Sequence, residues 1–307
     1  MTALAPPPDA LAGRSSTGGR SKSVSWMVLP ALAMFVAFGV VPLLGVLGLS
    51  FTQWDGIGDI HPAGLDSWRH ALTEPGLFHA LGVTFLVMAL SWLFQTPISL
   101  LIGVLLASHK RYRGFLAVLY FIPLLLSSAA IAITYSALLN PNFGLGAGLN
   151  IPLLNQDWLG QSNLALCVVV FVVSWQFIPF HSLIYQGGVR QIPRSMYEAA
   201  EIDGAGRIGT FFHITLPQLK YTIITSSTLM VVGSLTFFDL IFVLTSGGPG
   251  DATRVLALEM YQTGFKANLM GPASAIAVIL VLVGLGLALL LRRIGGGSAS
   301  DSQLEGA

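Results

Sequence analysis

Two groups of residues in this 307-residue chain could do chemistry, and both lie in or beside long apolar stretches. The first is a row of polar side chains. Thr225, Thr228, Thr236, Asp239 and Ser246 recur at steps of three and four residues or their sums, with Val232 completing the row, so they share one helical face. A carboxylate at the centre of a membrane span costs about 2.5–3.5 kcal/mol on insertion scales, so such a residue normally faces a cavity or a partner. No Lys or Arg lies deep in an apolar stretch to neutralise Asp239. Ser91, Gln95 and Ser99 form a second stripe at i,i+4. Ser174, Trp175, Gln176, His181 and Tyr185 cluster around Pro179. Each has a plainer reading. Ser and Thr commonly bond their own helix backbone. Gln95 can join helices for about 1 kcal/mol. His181 reads more simply as a packed, hydrogen-bonded residue than as a ligand. Asp239 can equally cap an external loop, and both readings stand for it.

The second group is the stretch "EAAEIDGAGRIGTFFHITLP", Glu198 to Pro217, which places three acids and a basic residue between apolar runs. Pro193 can open a short helix from Arg194 to Asp203, since the first turn needs no N–H there. Arg194 and Glu198 then stand at i,i+4. Gly204 can take a left-handed conformation and stop that helix. A second short helix is expected from about Gly206 to His213, and Pro217 bars its smooth merger with the apolar run from residue 220. Two short helices bent about Gly204 make either a docking bracket or a solvated connector whose surface ion pairs do little.

The elements that position these groups can be read from composition. The chain is 54% hydrophobic and 9% charged, with a mean hydropathy of +0.75. A soluble domain carries about a quarter of its residues as charges, so the chain reads as a membrane protein whose first partner is the lipid bilayer. A net charge of +1 gives no reason to expect nucleic acid. Cys167 is the single cysteine, so no internal disulfide can form. No Gly-Lys pair, His-Glu-x-x-His or Cys-x-x-Cys occurs. The chain therefore lacks a P-loop lysine and the common metal spacings, and a source of energy must come from a partner or a gradient.

Six stretches are long and apolar enough to cross a bilayer, at 26–51, 78–107, 114–139, 163–187, 220–246 and 272–292. The first two exceed what the bilayer needs and should tilt, kink or run past the interface. Pro97 and Pro179 are expected kinks, and Trp54 and Trp158 expected interfacial anchors. Residues 1–25 are rich in Pro, Gly and Ser and should form a disordered tail, with 293–307 as a second tail. A cytoplasmic N-terminus puts Arg14, Arg20, Lys22, Lys110, Arg111, Arg113, Arg190, Arg194, Arg207, Lys220, Arg292 and Arg293 inside, against Arg69, Arg254 and Lys266 outside. This bias sets both termini and the loop at 190–220 in the cytoplasm.

That loop resembles the coupling loop of binding-protein-dependent ABC importer permeases. The family pattern reads Glu-Ala-Ala, two residues, Asp-Gly-Ala, then after a spacer Phe and Ile-x-Leu-Pro. Glu198, Ala199, Ala200, Asp203, Gly204, Ala205, Phe211, Ile214, Leu216 and Pro217 match it in order. Ile208 stands where an aromatic residue is usual, and Tyr221 where a proline often occurs. "LSFTQWDG" (49–56), "GLDSWRHALTEPGLFHAL" (64–81), "DLIFVLTSGGPGDAT" (239–253) and "LEMYQTGF" (258–265) are similar to the carbohydrate-type branch, and a glycerol-phosphate branch shares most of them.

The resemblance implies an all-α membrane protein of six transmembrane helices, a permease domain over 26–292, with a cytoplasmic helix-turn-helix coupling loop. It implies a multi-pass protein of a bacterial inner membrane that imports a carbohydrate or related polar solute. The expected partners are a second permease chain in a heterodimer, two cytoplasmic ATPase subunits and an extracytoplasmic solute-binding protein. The chain itself would be no enzyme and bind no cofactor, ATP and Mg being held by the ATPase. Glu198 would pair with a basic residue of that ATPase, and Gly204 would allow the bend. Sugars are held by hydroxyl hydrogen bonds to carboxylates and amides and by aromatic faces. Asp239, Thr236, Phe237, Trp175, Gln176 and Gln95 are the candidates for the solute pathway. A gradient-driven secondary transporter is the rival reading, and it would need no ATPase dock.

Overall fold

The computed structural model describes residues 25–107, 111–151 and 155–294. The two tails lie outside these residues apart from their inner ends. The chain divides into two units at Gly45. The first unit holds α1 (Ser25–Phe35), a π-helical turn at Val36–Val40 and the start of α2 (Val41–Leu49). Its residues from Val28 onward are apolar, and all but the half-buried Val40 are exposed, as a face meant for lipid or another apolar surface would be.

The second unit begins with a two-stranded antiparallel ribbon, β1 (Thr52–Gln53) and β2 (His61–Pro62), in the register Thr52↔Pro62 and Gln53↔His61. This ribbon is the one departure from an all-helical chain among the described residues. Then come α3 (Asp66–Thr73), α4 (Pro75–Leu106), α5 (Arg111–Leu125), α6 (Ser128–Leu138), α7 (Leu145–Leu149) and α8 (Ser162–Gln191). Next is the bracket, made of α9 (Arg194–Ile202), α10 (Arg207–Thr210), a π turn at Phe211–Thr215 and α11 (Leu216–Gln218). The chain closes with α12 (Lys220–Ser234), α13 (Asp239–Leu244), α14 (Leu256–Tyr261), a π turn at Gln262–Lys266 and α15 (Met270–Ile294).

Among the described residues four helices are long and apolar enough to cross a membrane: Val28–Leu49, α4, α8 and α15. Pro75 sits at the first turn of α4, where its missing N–H costs nothing. Both α4 and α8 run on through Pro97 and Pro179. Two of the six expected stretches are interrupted. At 114–139, α5 and α6 meet at a bend of 98° and make a fifth span if taken together. Pro123 removes a helix donor just before that bend, the Leu126 amide bonds back to Pro123, and Ser127 turns extended.

At 220–246 the helix stops after Ser234 and restarts at Asp239. The amides of Leu235, Thr236 and Phe237 bond three residues back, which tightens the last turn. Ser234 Oγ donates to the Val231 carbonyl at 2.7 Å and Thr236 Oγ1 to that of Gly233 at 2.7 Å, so side chains compete for the helical acceptors. Asp239 lies in the first turn of α13, where a carboxylate is favourable to the exposed N–H groups.

Three apolar clusters hold the second unit together. The largest joins α4, α6, α8 and α13 through Val83, Val87, Ile131, Val169, Val172 and Ile241. A second joins α3 and α4 to α14 and α15 through Ala71, Leu77, Leu256 and Ile276. In the third, Leu100, Tyr185 and Leu219 anchor the bracket to the ends of α4 and α8. Helices α4 and α8 approach closely at Gly103, where a Cβ would lie 2.7 Å from the Tyr185 Cβ and 2.8 Å from the Ser182 carbonyl.

Candidate functional site

The interruption before Asp239 opens a cavity of about 370 Å³. Helix α4 supplies Ser91, Trp92 and Gln95, and α8 supplies Phe177, Phe180 and His181. The wall is completed from α12 by Leu229, Met230 and Gly233, from the break by Thr236, Phe237 and Phe238, and by Asp239 itself. An unbroken helix at 235–238 would bring fewer of these last residues to one wall, so the local backbone chemistry of Ser234 and Thr236 shapes the site.

The lining combines engaged and free polar groups. Trp92 Nε1 donates to Ser227 Oγ at 2.8 Å, and His181 Nδ1 is 2.9 Å from Ser226 Oγ. His181 is 4% exposed and thus a packed, hydrogen-bonded residue at the cavity wall. Ser91 Oγ, by contrast, is buried without a hydrogen-bond partner. The Asp239 side chain is exposed, and no hydrogen bond or ion pair among the described residues engages its carboxylate. Aromatic faces complete the lining: Phe237 stacks on Phe177 at 5.5 Å and 26°. Phe238 stacks on Phe242 at 5.3 Å, and Tyr261 packs on both. Such a cavity can accept hydroxyl donors at a carboxylate and lay apolar C–H faces on rings.

Of the six solute-pathway candidates, the structure brings together Gln95, Thr236, Phe237 and Asp239. Thr236 arrives with its hydroxyl already bonded to the Gly233 carbonyl. Gln176 lies behind the wall, where its Nε2 donates to Ser128 Oγ at 3.0 Å and its Oε1 is buried without a partner. Trp175 is not part of the lining. Its neighbour Gln176 turns inward, so one residue along the helix Trp175 points elsewhere, edge-on to Tyr135 at 5.6 Å. Trp92, Phe177 and Phe180 line the cavity and are not singled out by the sequence pattern alone. A signal exists in their spacing, since Trp92 adjoins Ser91 and the two Phe residues flank Pro179.

The bracket is a separate site. The amides of Gly204 and Ala205 bond to the carbonyls of Glu201 and Ala200 at 3.1 and 2.8 Å, and Gly204 has φ +73°. This pairing is a Schellman stop with glycine in the left-handed position. Pro193 caps α9 from just outside, rather than forming its first residue. The second short helix runs through a π turn to Gln218, and Leu219 marks the break before α12. Tyr197 Oη lies 3.2 Å from the buried Thr215 Oγ1 and ties the two arms together. Ala200 is buried, while Glu198, Ala199, Asp203, Gly204, Ala205 and Pro217 are exposed. Glu198 pairs with Arg194 at 3.0 Å on an open face. Ile202 and Ile208 stand 86% and 76% exposed on either side of the turn. In sequence Ile208 stands out only as a departure from the family pattern, and Ile202 does not stand out at all.

Comparison with known proteins gives this arrangement a context. Residues 95–296 match the family described as "Binding-protein-dependent transport system inner membrane component". The chain is 30% identical to the probable ABC transporter permease protein YurN of Bacillus subtilis, over 85% of this chain and 92% of that one. It is 30% identical to the multiple sugar-binding transport system permease protein MsmF of Streptococcus mutans, over 83% and 89%. It is also 30% identical to the trehalose/maltose transport system permease protein MalF of Thermococcus litoralis, over 88% and 92%. Its fold is similar to that of a chain in the crystal structure of a bacterial ABC transporter that imports the acidic polysaccharide alginate. The TM-score is 0.79 and the identity 22%, over 92% of this chain and 97% of that one.

Proposed function

This chain belongs to the family of binding-protein-dependent transport system inner membrane components, and from that premise we propose that it is the permease subunit of an ATP-driven importer of a carbohydrate or related polar solute. The observation that carries the solute class is the cavity in front of α13. There an unpaired carboxylate, an orphan hydroxyl and several aromatic rings share one wall. That is the lining a neutral, many-hydroxyl solute asks for, and relatives of the chain are named as sugar permeases.

The rest of the machine is assigned to other chains. A second, related permease completes the pathway, two ATPase subunits bind ATP and Mg, and an extracytoplasmic binding protein delivers the solute. The chain crosses the membrane six times when each interrupted stretch counts as one span, with both termini inside as the basic residues favour. The bracket at 194–218 then lies in the cytoplasm as the dock for an ATPase. Its exposed Ile202 and Ile208 offer an apolar contact, with Glu198, Ala199, Asp203 and Ala205 around them. Closing of ATP-bound subunits moves the docked brackets together, and the spans favour the outward-open state because ATP binds that state better.

The test is uptake into proteoliposomes holding the assembled complex, with maltose, trehalose, cellobiose, diacetylchitobiose and glycerol 3-phosphate as probes. Import of at least one saccharide is expected. Import of glycerol 3-phosphate alone, or of none of the five, contradicts the reading.

A further inference from the structure

We propose that a second pocket, bounded by Gln53, Trp54, Asp66 and His70, is an entry-side saccharide subsite distinct from the cavity at Asp239. The proposal rests on the saccharide-import reading and adds a place where solute is held before it reaches the central cavity. The pocket has a volume of about 320 Å³ and lies between the β-ribbon, α3 and the start of α15.

Its walls are fixed by hydrogen bonds to backbone carbonyls between distant segments. The Met270 amide donates to the Trp54 carbonyl at 3.0 Å, and Ser67 Oγ donates to the Thr52 carbonyl at 2.7 Å. A Cβ at Gly271 would collide with the Thr52 carbonyl, so ribbon and last span meet backbone against backbone. Trp54 is held in turn. Its Nε1 donates to the Gly58 carbonyl at 2.8 Å, and the loop beneath is closed by Asp55, whose carboxylate accepts from the Ile57 and Gly58 amides.

The indole therefore has its one donor satisfied and its ring immobilised and half-buried at the pocket wall. An immobile aromatic face loses little conformational freedom when a sugar packs on it. Around it stand an exposed amide, an exposed imidazole and an exposed carboxylate. Among the described residues no hydrogen bond engages the side chain of Gln53 or His70, and the Asp66 carboxylate meets Arg69 at 3.8 Å. Trp68, nearby, shows the contrasting case of an indole used for packing: it lies against Phe51 and donates to Ser50 Oγ. A held ring face beside exposed carboxylate, amide and imidazole groups is chemistry for a sugar ring, with C–H groups on the indole and hydroxyls on the polar rim. With Arg69 on the outside by the basic bias, the pocket opens on the side from which solute arrives.

The experiment is a saturation-transfer NMR titration of the assembled transporter, without binding protein, with maltose and diacetylchitobiose as probes. At least one probe should bind the wild type. Its dissociation constant should rise about three- to tenfold in Trp54→Leu and about tenfold in Asp66→Asn. Both substitutions are read in an Asp239→Ala background, so that sugar held by the carboxylate of the central cavity does not mask the subsite. Asp66→Asn leaves the backbone ties intact, so it answers for a Trp54→Leu chain that fails to fold. No binding of either probe overturns the subsite, as does binding in that background that Asp66→Asn leaves within twofold. Loss of binding-protein capture with sugar binding unchanged also overturns it and makes the pocket a protein contact. Proteoliposome uptake by the wild type decides the import reading separately.

Discussion

The amide of Ala205 donates to the carbonyl of Ala200 at 2.8 Å, reaching back across Gly204, which sits at φ +73°. With the bond from the Gly204 amide to the Glu201 carbonyl, it turns the bracket through its corner, and Ile202 and Ile208 stand exposed on either side. A Cβ at Gly204 would meet nothing within 4 Å, so the only obstacle to a side chain there is the backbone conformation. Gly204→Val should strain the corner by about 1–2 kcal/mol while the chain still inserts. Solute-stimulated ATP hydrolysis and uptake should fall together. Normal coupling in a well-expressed Gly204→Val complex contradicts a lever role for the bracket.

Much of this corner is legible in the sequence, because its determinants are local. Glycine after a run of helix formers reads as a left-handed stop, and Arg194 and Glu198 at i,i+4 form the ion pair their spacing implies. The break at 235–238 is not legible in the same way. Its cause is a contest between Ser234 and Thr236 hydroxyls and the helical amides for the same carbonyls, and a row of Thr residues on a continuous helix looks the same in sequence. The 98° bend at 126–127 is equally hidden, since a proline inside an apolar run as often kinks a helix as ends it. Trp175 and Gln176 are adjacent, and periodicity alone leaves open which of them faces the cavity.

Asp239 carries the charge in that cavity. A hydrogen bond to a charged group contributes about 1.5–3 kcal/mol, so Asp239→Ala should lower solute uptake by roughly one to two orders of magnitude. Basal ATP hydrolysis should not change, because the bracket and α13 lie at opposite ends of α12. Uptake at the wild-type rate removes Asp239 from the solute pathway, and loss of complex assembly favours its structural role at the start of α13.

Glu259 predicts a pH dependence outside the spans. Burial pushes its carboxyl above the ordinary 4.5, Arg254 pulls it back, and Glu74 and Asp251 push it up again. Its Oε2 lies 3.5 Å from Arg254 Nη1, and the side chain is 8% exposed. An acid with a raised pKa holds more protons folded than unfolded, so the stability it contributes is complete below 4.5 and is lost as pH rises through the folded value. Melting temperature should therefore fall more from about pH 4 to 7 in the wild type than in Glu259→Gln. Parallel profiles for the two proteins contradict this.

The approach of α4 and α8 makes a paired prediction. Gly103→Ala would press a methyl group on the Tyr185 Cβ and the Ser182 carbonyl, and overpacking of this kind costs about 1–3 kcal/mol. Gly187→Ala meets nothing within 4 Å and should instead gain about 0.5–1 kcal/mol from helix propensity. Thermal melting of the two variants should move in opposite directions. A shift of the same sign in both refutes the close approach at Gly103.

The central claim is that this permease moves a saccharide with energy taken from ATP on partner subunits. Its most direct test is radiolabelled saccharide uptake into proteoliposomes of the assembled complex, measured with ATP inside, without ATP, and with an imposed proton or sodium gradient in place of ATP. Uptake should require both internal ATP and the external binding protein, and should vanish under the gradient alone. Saccharide accumulation driven by the gradient without ATP would contradict the account.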